Sequence, residues 1–460
     1  MQEPKTLRKY PESPSQVSFP AFKTEGEKPK NPIEKFLSLF ADVRAGEGFS
    51  ALLLGFNVFL LLTGYAMLKT AREPLILVNF TAAQKAYASA GQALLLLLAV
   101  PFYGWIGTRV NRLKLLVGLN LFFAANLVLF SALGRAGFQI GVVFYVWLGI
   151  FSLFVISQFW AFANDVYAEG QGRRLFPMIA FGQSLGAVAG ASLATFLFKE
   201  LTISPYQLML FTAMALLASI AIIFAVNRRE VQWGGAVAAR EAVEPLGSEG
   251  GFQLLLRDRY LFWIGVMIVL LNTVNSSGEF VLSQLVQDES IRRFGGDLAE
   301  AQRGKFIGTY YGSFNIWTST VSLLTQLLLV SRLLRYAGVR RCLFVLPCIS
   351  LTSYSVMAFA PILALVRVLK IAENSTDYSL QNTVRQALWL PTTREAKYKA
   401  KAAVDTFCTR TGDVLAAVIV FAAASAGAGL QTVAGCSAVL ALSWLWAASR
   451  VAKQHRRLTV

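Results

Sequence analysis

An all-α polytopic membrane protein, with twelve transmembrane helices in two six-helix bundles, is the fold class that the sequence predicts. Three observations lead there. Of 460 residues, 55% are hydrophobic and only 15% are charged, whereas a soluble globular domain carries about 25% charged residues. The apolar residues fall into twelve runs, each near the ~20 residues a helix needs to cross a ~30 Å hydrocarbon core. One long hydrophilic interior segment then divides those runs six and six.

Taken in order, residues 1–49 read as a cytoplasmic tail. The stretch 1–31 is rich in Pro, Ser, Lys and Glu and has no apolar core of the kind a signal peptide carries, so it is expected to be disordered. Ile33, Phe36, Leu37 and Phe40 then fall on one helical face, which predicts a short interfacial helix before the first span. The N-terminal bundle is expected over 50–227, with runs near 50–68, 87–106, 115–133, 138–163, 176–198 and 207–227. Residues 228–259 carry Arg228, Arg229, Glu230, Arg240, Glu241 and Pro245 and read as a cytoplasmic linker. The C-terminal bundle follows over 260–449, with runs near 260–284, 306–331, 339–358, 360–381, 402–425 and 429–449, and 450–460 reads as a basic cytoplasmic tail.

Orientation follows from Lys and Arg. Placing the N-terminus in the cytoplasm puts these residues on the cytoplasmic side by more than three to one, as the positive-inside rule requires, so both termini are expected there. The net charge of +17 is therefore mostly topological. It lies in short clusters between apolar runs rather than along a stripe interleaved with stacking aromatics, which argues against nucleic-acid binding. Cys342, Cys348, Cys408 and Cys436 all sit in apolar segments with no CxxC, and the single histidine, His455, lies in the basic tail. No metal site, cofactor or catalytic constellation is expected, so the chain does not read as an enzyme.

Ionisable residues inside apolar runs carry the functional reading, because each costs about 2.5–3.5 kcal/mol at mid-bilayer unless it has a partner or a water-filled cavity. The first span ends in Lys69-Thr70-Ala71-Arg72-Glu73 and the seventh carries Asn272, Asn275, Ser276, Ser277 and Glu279. The tenth holds Arg367, Lys370, Glu373, Asn374 and Asp377 at steps of three and four, which predicts one shared face toward the bundle interior. The eleventh holds Asp405, Arg410 and Asp413. Lys69, Arg72, Arg367, Lys370 and Arg410 come from three spans and favour an anionic substrate, guanidinium forks suiting phosphate well. For Glu373 and Asp377 a self-neutralising network that holds spans together is an equal alternative.

Gly104-Trp105-Ile106-Gly107-Thr108-Arg109-Val110-Asn111-Arg112-Leu113-Lys114, between spans 2 and 3, resembles the loop signature of the major facilitator superfamily, with Thr108 at its acidic position. Arg332, Arg335 and Gly338-Val339-Arg340-Arg341 repeat it between spans 8 and 9. That resemblance implies the major facilitator fold. A closer one follows from other strings. Leu68-Lys69-Thr70-Ala71-Arg72-Glu73 keeps the signs of two cations and one acid in the corresponding string of the nucleotide transporters, the ATP/ADP translocases of plastids and intracellular bacteria. Phe159-Trp160-Ala161-Phe162-Ala163-Asn164, Arg173-Arg174-Leu175-Phe176-Pro177 and Lys399-Ala400-Lys401-Ala402-Ala403-Val404-Asp405 are similar to further strings of that family. Departures fall at Gln171, where the family has an acid, and at Gly412-Asp413, where it has Gly-Lys; Glu279 matches the family's span-7 Glu loosely.

The resemblance implies a secondary transporter in a divergent bacterial branch, set in the cell inner membrane, exchanging nucleotides of the ATP/ADP type by alternating access. Lys69, Arg72, Arg367, Lys370 and Arg410 are its candidate substrate-binding residues, and Glu279, Asp405, Asp413 and Glu373 its candidate coupling or gating carboxylates. The expected partners are a small anionic nucleotide and the lipid bilayer, and a monomer is the default for an oligomeric state the sequence leaves open. Asp413 and Gln171 keep open a proton-coupled facilitator for another organic anion or drug. A non-transporting scaffold that binds acidic lipids through basic loops is the alternative of another class.

Overall fold

The computed structural model describes residues 32–37, 43–44, 46–107, 112–167, 169–201, 203–232, 251–295, 300–393, 396 and 400–459. The tail 1–31, loop residues 108–111, most of the expected linker (233–250) and Lys399 fall outside the described residues, as do the side chains of Asp165, Glu169 and Arg173. The described residues contain no strand, and ten of their helices are long and apolar enough to cross a membrane.

After α1 (Pro32–Leu37), the first half comprises α2 (Gly48–Leu77), α3 (Ala82–Gly107), α4 (Arg112–Arg135), α5 (Gly141–Val166), α6 (Glu169–Lys199) and α7 (Pro205–Gln232). A short α8 (Gly251–Arg257) precedes the second half. There α9 (Arg259–Phe294) is followed by α10 (Glu300–Thr325), which continues through a π-turn at Gln326–Val330 into α11 (Ser331–Tyr336). Next come α12 (Gly338–Cys342), α13 (Val345–Phe359) and α14 (Leu363–Thr376), which passes through a π-turn at Asp377–Gln381 into α15 (Asn382–Leu388). Finally α16 (Lys401–Ala403) meets a π-turn at Val404–Cys408, leading into α17 (Thr409–Ser425) and then α18 (Leu430–Thr459).

Two element ends differ from the expectation. Helix α7 runs to Gln232, several residues into the segment read as linker. The segment 450–460, read as a tail, continues α18 to Thr459. Its spacing explains this: Val451 and His455, four apart, are both buried, and the His455 ring lies 6.2 Å from that of Tyr260.

Without a hydrophobic drive between helices in lipid, close backbone approach has to come from small residues. Helix α6 supplies them at four-residue steps. A Cβ on Gly182, Gly186 or Gly190 would lie 2.2–2.4 Å from the carbonyl oxygens of Gly55, Phe59 and Thr63, so α6 rests on the backbone of α2. In the second half Gly412 lets α17 meet α9 in the same way, its Cβ position 2.8 Å from the Val269 carbonyl oxygen.

Each half has its own apolar core, the first around Phe123, Phe144 and Phe151, the second around Leu346, Leu388 and Trp444. A third cluster is shared. Ile76, Leu77, Ala82 and Tyr145 of the first half pack with Val281, Leu282, Val286, Ile307 and Phe314 of the second. This seam lies at the end of the molecule where α2 stops and α3 begins. Gln287 of α9 caps that corner, donating to the carbonyls of Leu77 (2.9 Å) and Phe80 (2.7 Å) and accepting from the Ala82 amide (3.0 Å). It thereby satisfies backbone groups that a helix end leaves orphaned. Arg303 donates to the Val78 carbonyl, and Asn315 to the Thr70 hydroxyl, both at 3.3 Å.

Candidate functional site

Just below the seam, charged side chains from both halves meet. Glu73, almost fully buried, is held between Arg72 (2.5 Å) and Lys85 (2.5 Å). The Arg72 guanidinium also lies over the Tyr145 ring, 4.3 Å from its centroid. Lys85 reaches across to the second half, donating to Ser283 Oγ at 2.8 Å, and Ser283 lies 3.0 Å from the Tyr311 hydroxyl. Lys69, one turn before Arg72, sits with its ammonium 5.6 Å from the Tyr378 ring centroid.

The facing cluster belongs to α9, α13 and α14. Lys370 is completely buried, and its ammonium donates to Glu373 (2.9 Å) and Asn275 Oδ1 (2.8 Å), with Glu279 at 3.6 Å. Glu373 also accepts from Ser350 at 2.9 Å, and the Tyr354 hydroxyl lies 3.0 Å from it. Gly278 makes room for this, since a Cβ there would sit 2.0 Å from the Tyr354 hydroxyl and 3.0 Å from the Lys370 ammonium. Glu279 takes a hydrogen bond from Asn374 (3.0 Å) and stands in the field of Lys370, Lys85 and Lys69 together. It is the carboxylate through which cations of both halves interact.

A third group completes the site. Arg410 pairs with Asp413 at 3.0 Å, and Ser276 donates to the other Asp413 oxygen at 2.7 Å. Asp413, Ser276 and Glu279 line a cavity of about 70 Å³ together with Lys85 and Tyr145 from the opposite half.

Of the residues expected from sequence, the structure therefore brings together Lys69, Arg72, Lys370, Arg410, Glu279, Glu373 and Asp413. Two stand apart. Arg367, one turn before Lys370 on α14, does not join its ion-pair cluster: it turns to α10, where it donates to Ser313 (2.7 Å) and lies over Tyr310. Asp405 falls in the π-turn at Val404–Cys408, where it is exposed and stands in the field of Lys401 and Arg385. Asp377 begins another π-turn, and one of its carboxylate oxygens is buried without a hydrogen-bond partner.

Sequence reasoning missed Lys85, counting it among topological charges. A signal was present, for Lys85 is the one charged residue between Glu73 and Arg109. It also missed Ser283, Tyr311 and Tyr354, which nothing in their local spacing distinguishes from other polar residues of long helices.

At the opposite end of the first half, Glu47 stands immediately before α2. It accepts from Arg174 (2.9 and 3.1 Å), Gln171 (3.1 Å) and the Arg44 amide (3.0 Å). Burial alone would push its carboxyl up, but these hydrogen bonds and the Arg174 charge outweigh it and hold the group below its ordinary 4.5. The unfolded chain then takes up this proton first as pH falls. The stability contribution is complete above 4.5 and is lost as pH drops through the lower folded value. Glu47→Gln is accordingly expected to melt below the parent at neutral pH, in a gap that closes under acid; a gap that is constant with pH would contradict this.

The comparisons with known proteins bear on this site. The model of the TLC ATP/ADP transporter family matches residues 138–455, well over half of the chain. The chain belongs to that family. The chain is 21% identical to "ADP,ATP carrier protein 1" of Chlamydia trachomatis serovar D over 351 residues, covering 68% of this chain and 64% of that protein. It is 24% identical to "ADP,ATP carrier protein 2" of the same organism over 365 residues, covering 66% and 65%. The chain thus spans just under two thirds of the length of these relatives. Among solved structures it is similar to the nucleoside transporter NupG, with a TM-score of 0.64 and 13% identity over 86% of this chain and 98% of that one. A POT family transporter in complex with 5-aminolevulinic acid gives 0.62 and 12% over 87% and 96%. At these identities the likeness is one of fold, and the fold is that of major facilitator transporters.

Proposed function

We propose that the transporter exchanges nucleotides of the ATP/ADP type by alternating access. In this reading it lies in the cell inner membrane, with twelve spans and both termini in the cytoplasm. The observation that carries the proposal is the paired charge layer between the two bundles. Lys69, Arg72 and Lys85 from one half face Lys370 and Arg410 from the other, and Glu73, Glu279, Glu373 and Asp413 neutralise all of them but one. A polyphosphate can replace the carboxylates as counter-ion, with Lys69 and Arg72 as its first contacts, because Lys69 has no carboxylate within ion-pair distance among the described residues and Glu73 keeps Lys85 when Arg72 leaves it.

Exchange follows from this charge balance. In the conformation described, the α2 C-terminal end is closed, and Lys85 spans the seam to Ser283. Opening that end without an anion breaks the Lys85–Ser283 hydrogen bond and takes Lys69 and Lys85 out of the field of Glu279, leaving Lys69 with no carboxylate nearby, whereas a bound phosphate compensates these cations. The empty carrier is therefore slow to reorient and the loaded one fast.

The test is uptake into proteoliposomes of labelled ATP, ADP and phosphate, with and without internal counter-substrate. Uptake of ATP or ADP that depends on counter-substrate is expected. Arg72→Ala is expected to lose at least tenfold, since a hydrogen bond to a charged group contributes about 1.5–3 kcal/mol, and Arg72→Lys to lose less. No nucleotide uptake, or full uptake in Arg72→Ala, would overturn the assignment. A second reading rests on Glu279 and Asp413 lining one cavity, as proton-coupled carriers arrange carboxylates; uptake that follows the pH gradient and ignores counter-substrate would favour it.

A further inference from the structure

One cavity stands apart from the charge layer. It is a groove of about 1050 Å³ between the last turns of α9, the outer face of α10 and the start of α14. It is polarised along the helix axes. Its upper end, where α9 finishes and α14 begins, carries Arg292, Arg293 and Arg367 with Asp288 and Glu289. Its lower end is apolar and holds Leu285, Trp317 and Ile371. Trp317 and Val368 are more than half exposed on its open side, where the apolar surface of α10 continues through Leu324 and Leu327.

We propose that this groove binds one glycerophospholipid of the leaflet at the α2 C-terminal end, its phosphate among the arginines and an acyl chain running down to Trp317. Three observations fix that occupant. The first is length: Phe306 and Trp317 on α10 are eleven residues apart, roughly 16 Å at 1.5 Å per residue, about half of a ~30 Å hydrocarbon core. The second is charge. Three guanidiniums face two carboxylates, and Glu289 already holds both Arg292 and Arg293, so one positive charge is left for the single negative charge of a phosphodiester. The third is an unsatisfied donor: Tyr310 lines the groove, and its hydroxyl is buried without a hydrogen-bond partner. Arg367 is pre-set beside it by Ser313 and by stacking on the Tyr310 ring. This gives Arg367 a role in lipid recognition in place of the substrate role expected from its sequence position. The inference rests on the membrane setting of α9, α10 and α14 and not on nucleotide exchange.

The experiment titrates the full chain, purified in detergent, with dioleoyl-phosphatidylglycerol and counts adducts by native mass spectrometry. Dioleoylglycerol, inorganic phosphate and ATP are run as separate probes. One phosphatidylglycerol adduct is expected, persisting in excess ATP, with at least tenfold weaker binding in Arg292→Gln/Arg293→Gln/Arg367→Gln and in Trp317→Ala. If the triple variant does not fold, Arg292→Gln/Arg293→Gln alone changes only exposed side chains and is expected to show a smaller loss. Equal binding in parent and arginine variants, equal binding of dioleoylglycerol, or displacement of the lipid by ATP would each overturn the proposal. The last would make the groove part of the nucleotide path.

Discussion

Replacing Lys370 by methionine is expected to destabilise the protein by about 3–5 kcal/mol, the cost of stranding one member of a buried ion pair. Lys370 is fully buried and Glu373 nearly so, and Lys370 is the only cation within ion-pair distance of Glu373 among the described residues. Without it Glu373 keeps Ser350 and the Tyr354 hydroxyl, and Tyr354 also faces the Val274 carbonyl. A drop of about 3–5 °C in the detergent melting temperature is expected for Lys370→Met, since a chain of 460 residues unfolds with an entropy of about 1 kcal/mol/K. The double variant Lys370→Met/Glu373→Gln is expected to recover most of it, because no unpaired charge is left. Transport should not return with stability, since Glu279 has lost the cation it faces in its own half. Recovery of both together would instead make the pair a structural brace, the alternative its spacing in the sequence left equally open.

What was legible in the sequence, and what was not, separates along physical lines. Hydropathy runs report transfer free energies summed over some twenty residues, so single errors average out and the helical, membrane-spanning character could be read directly. The site depends on individual side-chain directions, which the sequence encodes only through helical phase. That phase held from Lys370 to Glu373 and Asn374, both within α14. It failed where a π-turn intervenes, as at Asp405, because one extra residue per turn re-aims whatever follows. It also failed for Arg367, which is no further around α14 from Lys370 than Glu373 is, but whose long side chain is drawn to Ser313 and Tyr310 of α10, partners the sequence of α14 does not show. Lys85 was lost differently: it stands at a helix start, where a positive-inside count treats every cation as solvated. Only the partner helix, bringing Ser283 and Tyr311 to it, shows that it is buried.

The seam itself yields the second large effect. Gly304, Gly308 and Gly312 recur at four-residue steps on α10, as Gly182, Gly186 and Gly190 do on α6, but the two stripes face different surfaces. The α6 stripe packs inside its own bundle on α2. The α10 stripe crosses the seam: a Cβ at Gly312 would lie 2.2 Å from Thr195 Oγ1, and one at Gly308 would lie 3.2 Å from the Phe198 ring. Gly312→Leu should therefore leave each bundle intact and wedge them apart only when this end closes. Overpacking of this kind costs typically 1–3 kcal/mol, a five- to 150-fold change in the closed-to-open ratio. Inverting a 99:1 preference takes about 5.5 kcal/mol, so a mixed population is expected rather than a locked one. Spin labels at Thr81 and Ile291, exposed on either side of the seam, should report a single short distance in the parent and two populations in Gly312→Leu, with transport at least tenfold slower. Gly186→Leu should act oppositely, lowering the melting temperature without a second distance. One short distance in Gly312→Leu alongside normal transport would mean that α6 and α10 do not form the moving contact, and alternating access would have to pivot elsewhere.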